Sequence, residues 1–297
     1  MLDAGLNAGA DTGLRVALTT PRILIREVLA GLVVGLALIP EAISFSIIAG
    51  VDPKVGLFSA FIMAVTIAFV GGRPAMISAA TGAVALVVAP IAREYGMDYL
   101  IATVLLAGVF QIVLAVLGVA KLMRFIPRSV MVGFVNSLAI LIFSAQIPEL
   151  IDVPWLVYPL VALGIVLLVS FPKVTKAIPA PLVSIVVVTV LVVVCSFSVP
   201  TVGDKGELPR SLPELFIPQV PWTVETLQII APVAIAMALV GLMESLMTAK
   251  LVDEITDTHS NKTRESFGQG VANIASGLFG GMGGCAMIGQ TLSLIHI

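Results

Sequence analysis

Apolar runs long enough to cross a lipid bilayer follow one another along most of this chain. Polar punctuation marks ten of them: Ile23–Gly50, Val55–Val70, Met76–Ile91, Leu100–Val119, Val130–Ile147, Val157–Phe171, Ile178–Val199, Leu227–Ala249, Phe267–Phe279, and a last one opening at Gly280. A bilayer core of about 30 Å takes roughly 20 apolar residues in helical form. Inside hydrocarbon every backbone N–H and C=O must find a partner within the protein, which leaves helices or closed barrels. A barrel would show short alternating segments, and these runs are unbroken. The reading is an all-α polytopic membrane protein. Composition excludes a soluble alternative: 59% of residues are hydrophobic, 11% are charged, and mean hydropathy is +1.11, whereas soluble domains average about 25% charged residues.

Charge gives orientation and removes several function classes. With the N-terminus cytoplasmic, twelve of the sixteen Lys and Arg residues fall on the inside; Lys54, Arg93, Lys205 and Arg210 fall outside. That bias obeys the positive-inside rule, and a multi-pass protein of a bacterial-type inner (plasma) membrane with a cytoplasmic N-terminus is expected. The loop 200–226 becomes the large extracellular one. The inside stretch Asp253–Arg264 reads as a solvated loop, and the sequon Asn261-Lys262-Thr263 lies on the side that is not glycosylated. Net charge is −2, so no nucleic-acid partner is expected. No cleavable signal peptide is evident. Cys195 and Cys285 are too few for a metal framework and too far apart in sequence to suggest a disulfide. No cofactor is expected beyond a coupling Na⁺ or H⁺. An intramembrane enzyme is excluded too: His259 and His296 form no H-E-x-x-H, and neither a Gly-x-Ser-x-Gly elbow nor an intramembrane aspartate pair is present.

Two carboxylates stand inside these apolar runs, Glu41 beside Pro40 in the first and Glu244 in the eighth. A charged side chain at the bilayer centre costs about 2.5–3.5 kcal/mol on insertion scales, and it persists where it faces a cavity, a partner or a cation. Two other segments are broken by glycine and proline. The third opens with Gly71-Gly72-Arg73-Pro74 and holds Ser78-Ala79-Ala80-Thr81-Gly82; the tenth opens with Gly280-Gly281-Met282-Gly283-Gly284-Cys285. Phe69, Gly71, Gly72 and Ala75-Met76-Ile77 echo Phe279, Gly280, Gly281 and Ala286-Met287-Ile288. Broken segments at corresponding places in two halves mark the midplane site of inverted-repeat transporters. Helix N-termini there offer free N–H groups and about half a positive charge each, which suits an anion. Thr81 adds a hydroxyl, Gly82 allows close approach, and Phe45 either lines the site or packs. Glu244 and Thr248, four apart on one helix face, would hold Na⁺, or the carboxylate alone would take a proton; Glu41 has the same two options. A coupled cation resolves the repulsion between an acid and an anion. Gln111, Asn136 and Gln146 read as interhelical hydrogen bonders rather than ligands, and Gly31 and Gly35 as points of close helix packing.

The residues that carry a resemblance are Gly31–Gly35 through Ile39-Pro40-Glu41-Ala42-Ile43-Ser44-Phe45-Ser46, Ala49–Pro53, Phe69–Gly82, Ser129–Asn136, Glu244-Ser245-Leu246 with Ala249-Lys250, and Asn261–Gln290. Over about Arg22–Gln290 the chain resembles the SulP (sulfate permease) family of inorganic anion transporters, kin to the SLC26 group, and within it the bicarbonate-transporter-like members. The resemblance implies a seven-plus-seven inverted-repeat transporter fold with about ten segments present. Residues 23–128 and 227–297 would form the core domain, residues 129–199 the gate, and 1–22 a cytosolic segment. It implies an anion site at Thr81, Gly82, Ala286, Met287 and Ile288, a cation site at Glu244 and Thr248, and a homodimer for the full-length form. The family often bears a hydroxyl residue where Ile288 stands, so contact there would come from backbone, and proton coupling stands beside Na⁺. The family continues through four further segments and usually a STAS domain. The run Thr291–Ile297 does not resemble it, so the chain reads as C-terminally truncated. The function implied is secondary transport of sulfate or bicarbonate. The competing expectations are a nucleobase or organic-anion carrier of the same fold, and a non-transporting fragment.

Overall fold

The computed structural model describes residues 21–121, 127–174 and 180–296. The first twenty residues of the expected cytosolic segment, and the start of the seventh run, lie outside them. Among the described residues ten α-helices and two short strands follow in order: α1 Pro21–Ala49, α2 Pro53–Val70, β1 Ser78–Ala79, α3 Gly82–Tyr95, α4 Met97–Val116, α5 Arg128–Gln146, α6 Val157–Val174, α7 Ala180–Val194, α8 Val224–Thr256, α9 Lys262–Leu278, β2 Cys285–Ala286 and α10 Ile288–His296. Five stretches among the described residues are helical, long and apolar enough to cross a membrane, while α6 and α7 are shorter apolar helices.

Breaks in the helices occur where the sequence withdraws a Cβ or a backbone N–H. Gly50 and Gly96 take positive φ, +80° and +84°, and turn the chain between α1 and α2 and between α3 and α4. Pro53 opens α2, where its missing N–H costs nothing. After α2 the Gly-Gly-Arg-Pro stretch cannot continue a helix, and the chain runs extended through β1 before α3 begins. After α9 the glycine cluster does the same ahead of β2 and α10. The order helix–helix–strand–helix therefore occurs twice, as α1-α2-β1-α3 and α8-α9-β2-α10. β1 and β2 pair antiparallel, Ser78 opposite Ala286 and Ala79 opposite Cys285, as two repeats of opposite orientation require. The sequence echo is thus one of order rather than register. The C-caps of the corresponding helices are Gly71 and Phe279, whereas the echo sets Phe279 against Phe69, and Met76-Ile77 precede their strand while Met287-Ile288 follow theirs.

The deepest packing joins α3, α4 and α8 through small residues, Ala85, Ala107, Ala234 and Ala238, with Val88, Leu100, Val104 and Met237 filling between them. The helices α4 and α9 cross glycine on glycine: a Cβ on Gly108 would stand 2.8 Å from the Gly270 carbonyl oxygen, and one on Gly270 would stand 2.7 Å from that of Gly108. Such contacts bring backbones close where lipid supplies no hydrophobic drive. Gly31 and Gly35 do not act this way, since a Cβ at either meets nothing within 4 Å among the described residues. Helices α5, α6 and α7 turn many large apolar side chains outward, among them Phe143, Ile165, Val169, Val190 and Val194; these suit acyl chains.

Helix α9 departs from the sequence expectation. It starts at Lys262, ahead of the apolar run, and buries polar residues: Glu265, Gln269, Asn273 and Ser276 are fully enclosed. The stretch Asp253–Arg264 is a solvated loop only in part: residues 257–261 connect the two helices at the surface, with Asp257, His259 and Asn261 exposed. Helix α8 continues to Thr256, and Asp253 is nearly buried, its carboxylate 3.3 Å from the Arg73 guanidinium and 2.8 Å from Lys262 Nζ. Arg73 also donates to Thr256 and Thr258, at 2.6 Å each. Burial lowers the Arg73 pKa and Asp253 opposes that. Removing one partner leaves a buried charge alone, which costs about 3–5 kcal/mol. Asp253→Ala is expected to lower the melting temperature of the detergent-solubilised protein accordingly, and a wild-type melting curve would show that the pair is not structural.

Candidate anion and cation site

The strand pair fixes where α3 and α10 begin. Thr81 caps α3, accepting from the Val84 N–H, and Met287 donates its N–H to the Ile77 carbonyl, so both helices start beside the ladder. A cavity of about 380 Å³ opens at these starts, lined by Glu41, Phe45, Thr81, Gly82, Ala83, Leu138, Ile142, Glu244 and Met287 through Gln290. A helix leaves its first N–H groups without intrahelical partners. Gly82 and Ala83 on α3, and Ile288, Gly289 and Gln290 on α10, stand at those positions in the cavity wall, and their N–H groups find no partner among the described residues. A Cβ on Gly82 would come within 2.5 Å of Ile142 Cδ1 and 3.0 Å of Phe45 Cε1, so a larger residue there would push those two side chains aside and occupy the cavity wall. A wider surface hollow, about 520 Å³, borders Lys121 and His259 through Thr263 at the end of α8; it contains no group of this site.

Of the residues singled out from the sequence, the cavity brings together Thr81, Gly82, Phe45, Met287, Ile288, Glu41 and Glu244. Two stand apart. The Ala286 N–H is already spent, donating to Ser245 Oγ at 3.1 Å, and its side chain is enclosed. Thr248 is buried, and its hydroxyl donates to the Glu244 backbone carbonyl at 2.8 Å, so it meets the helix rather than the carboxylate. Each carboxylate has one side-chain donor among the described residues. Gln290 Nε2 donates to Glu41 at 2.6 Å, and the Cys285 thiol to Glu244 at 2.8 Å. Those carboxyl groups thereby tie α1 to α10 and α8 to β2.

Sequence reasoning missed Ala83, Leu138, Ile142, Gly289, Gln290 and Cys285. It also missed what holds the broken segments. Along one face of α9, Glu265 accepts from the Gly72 N–H, Gln269 donates to Ser78 and Glu265, and Asn273 clasps Gly284 by both its N–H and C=O while donating to Gln111. Ser276 and Ser59 hold the Gly283 backbone. This ladder satisfies backbone that glycine has unwound, as irregular chain at membrane depth demands. The spacing Glu265, Gln269, Asn273, four residues apart, was a readable signal. Gln111 is an interhelical hydrogen bonder as expected; Asn136 and Gln146 make no side-chain hydrogen bond among the described residues.

The sequence profile of the sulfate permease family matches residues 24–157 and 152–296. The chain belongs to the sulfate permease family. The match reaches 296, past the point where the sequence motifs carry the resemblance, so the run from Thr291 fits the family too. The putative sulfate transporter YbaR of Bacillus subtilis is 55% identical over 267 residues, covering 90% of this chain and 56% of that protein. The bicarbonate transporter BicA of Picosynechococcus is 28% identical, covering 90% of this chain and 53% of the relative. The chain thus spans about half the length of these relatives. The transmembrane domain of a cyanobacterial bicarbonate transporter BicA superposes with a TM-score of 0.81 at 24% identity, covering 93% of this chain and 77% of that one. The sulfate permease fold, with its inverted repeats and helical membrane spans, is the fold found, and the chain is an integral multi-pass membrane protein.

Proposed function

We propose that the chain is the membrane part of a secondary active transporter for a small inorganic anion, sulfate or bicarbonate, coupled to Na⁺ or H⁺. One observation carries the reading: two helix N-termini from opposed repeats and two carboxylates share one cavity. The N–H groups of Gly82, Ala83, Ile288, Gly289 and Gln290 supply donors for an oxyanion, Thr81 supplies a hydroxyl, and Phe45, Met287 and the Ile288 side chain shape the wall. A negative substrate beside Glu244 and Glu41 is favourable only once a cation has joined them, which makes cation and anion enter together. Glu244 is the coupling group, Glu41 a second acid that ties α10 to α1, and Thr248 steadies the α8 backbone at Glu244.

The names of the relatives, sulfate and bicarbonate transporters, supply the substrate class. Helices α1–α4 and α8–α10 form the moving core and α5–α7 the gate; Leu138 and Ile142 of α5 close the cavity from the gate side. The end of the molecule where Lys54 pairs with Glu207 and Lys205 with Glu149 faces outward from a bacterial-type inner membrane, leaving the N-terminus cytoplasmic. The full-length form pairs as a homodimer.

Radiolabelled sulfate and bicarbonate uptake into proteoliposomes, at controlled Na⁺ and pH, tests the reading; gradient-independent leak of both anions would sink it. Thr81→Val removes one donor of the site. A hydrogen bond to a charged group is worth about 1.5–3 kcal/mol, so the apparent affinity for sulfate is expected to fall about tenfold or more, while the lost cap on α3 lowers stability by about 1 kcal/mol. An unaltered affinity would take the hydroxyl out of the site.

A further inference from the structure

The chain crosses from the gate to the core in the loop between α7 and α8, and there it is clamped on both sides of one glycine. On the gate side, Thr201 and Asp204 close a capping box on the single 3₁₀ turn Val202–Lys205. Lys205, at the end of that turn, pairs with Glu149, which lies in the 3₁₀ turn Ile147–Leu150 that finishes α5. On the core side, Glu207 meets the start of α2. Its carboxylate lies 3.0 Å from Lys54 Nζ, which Asp52 shares at 3.5 Å, and its carbonyl accepts the Lys54 N–H at 3.2 Å. Gly206 stands between the clamps at φ +146°, where a Cβ would come within 2.5 Å of Asp52 Oδ1 and 2.9 Å of Pro53 Cδ. Its missing side chain lets the strap lie directly on the α2 N-terminus.

We infer that residues 205–207 are a releasable tether that limits how far the core travels past the gate, and that the Lys205–Glu149 pair is the clamp that opens. This rests on the transport reading above and on its division into core and gate.

An extended chain covers at most about 3.3–3.6 Å per residue, so with both clamps shut only about 7 Å of backbone joins the gate anchor to the core anchor. A core that rocks or slides against the gate soon draws that length taut. Opening the Glu149 clamp lengthens the link to the stretch from Val194 to Glu207, at most about 45 Å, and the core is then free to move. The core clamp is the firmer of the two. It combines an ion pair with a backbone hydrogen bond, and the strap beyond it stays docked on the core. Phe216 donates its N–H to the Leu278 carbonyl at 2.6 Å, Gln219 donates its N–H to Asp98 at 2.8 Å, and Val220 packs against Ala102 and Ile230. The gate clamp is one pair of exposed side chains. Such pairs are weak and screened by salt, so this is the clamp that yields.

Gradient-driven sulfate uptake into proteoliposomes at fixed Na⁺ and pH, with ionic strength set by choline gluconate, tests the tether. Lys205→Ala opens the clamp. At low ionic strength that variant is expected to transport about two- to fivefold faster than wild type at saturating sulfate, and the two rates converge as salt screens the wild-type pair. Sulfate affinity is the same in both, since neither Lys205 nor Glu149 lines the cavity. A Glu149→Cys, Lys205→Cys chain in a Cys195→Ala background tests the closed state. Cys195 is exposed and Cys285 buried, so a bis-methanethiosulfonate cross-linker reaches only the new pair. Cross-linking is expected to abolish uptake, reductant to restore it, and a monofunctional reagent to leave it at the Lys205→Ala rate. Equal rates for wild type and Lys205→Ala at low ionic strength overturn the tether. So does a slower variant, which a merely structural pair would give, or a cross-linked chain that transports undiminished. If the double-cysteine chain does not fold, the Lys205→Ala comparison decides alone. Absence of driven uptake by the wild-type chain overturns the transport reading and the tether with it, whereas uptake indifferent to the clamp removes the tether only.

Discussion

Glu244→Gln is expected to lower cation-driven sulfate uptake about ten- to a hundredfold in proteoliposomes, the equivalent of the roughly 1.5–3 kcal/mol that a contact to a charged group contributes. The substitution keeps the volume of the side chain and an oxygen that can accept from the Cys285 thiol, so the tie between α8 and β2 survives. What disappears is the negative charge. An amide takes up no proton and brings no negative charge to draw Na⁺ in, so the anion enters without a compensating cation and the gradient no longer drives it. Insertion and melting temperature should therefore remain near wild type while the response to Na⁺ and pH vanishes. Equilibrium binding of sulfate should persist in this variant, because a neutral residue 244 no longer repels the anion. Loss of driven uptake with retained binding separates coupling from substrate recognition. Uptake that keeps its wild-type Na⁺ and pH dependence would remove Glu244 from the coupling step.

The parts of this site that a sequence reveals are those that violate their surroundings. A glutamate in an apolar run has no inexpensive explanation in lipid, which is why Glu41 and Glu244 stand out without coordinates. Glycine clusters in a span announce a broken helix in the same way, and the positions of both breaks are legible. What stays hidden depends on register. Only the pairing of Ala79 with Cys285 decides that the free N–H groups belong to Gly82, Ala83 and Ile288–Gln290, while that of Ala286 is spent on Ser245. Cys285 is invisible for the opposite reason to the glutamates, since a thiol among apolar residues looks at home. Arg73 and Asp253 come from different repeats and pair across 180 positions of sequence, and nothing local distinguishes those two from ordinary surface charges. In α9 the signal is present but masked, because the apolar C-terminal part of the helix dominates the pattern over the polar residues four apart.

Gly284→Ala is expected to be the most damaging single change in the chain. A Cβ there would stand 1.8 Å from the Ala79 carbonyl oxygen, 2.5 Å from its carbon and 3.0 Å from Ala80 Cα. All three are backbone of the opposing strand, so no side chain can rotate out of the way. Nor can Gly284 retreat, because Asn273 holds its N–H at 2.8 Å and its C=O at 3.1 Å on the other side. The strands have to separate. Overpacking of a well-packed core usually costs about 1–3 kcal/mol; a backbone-on-backbone clash at a site clamped from both sides belongs at or above the top of that range. Displacing β2 also carries Cys285 off Glu244 and moves the start of α10, so sulfate binding should fall below detection even in protein that still folds. Gly31→Ala is the matched control. Its Cβ meets nothing within 4 Å among the described residues, and replacing a mid-helix glycine favours the helix by about 0.5–1 kcal/mol, so its melting temperature should hold or rise with binding intact. Wild-type sulfate affinity in Gly284→Ala would mean that the contact between the two strands does not determine the geometry of the cavity.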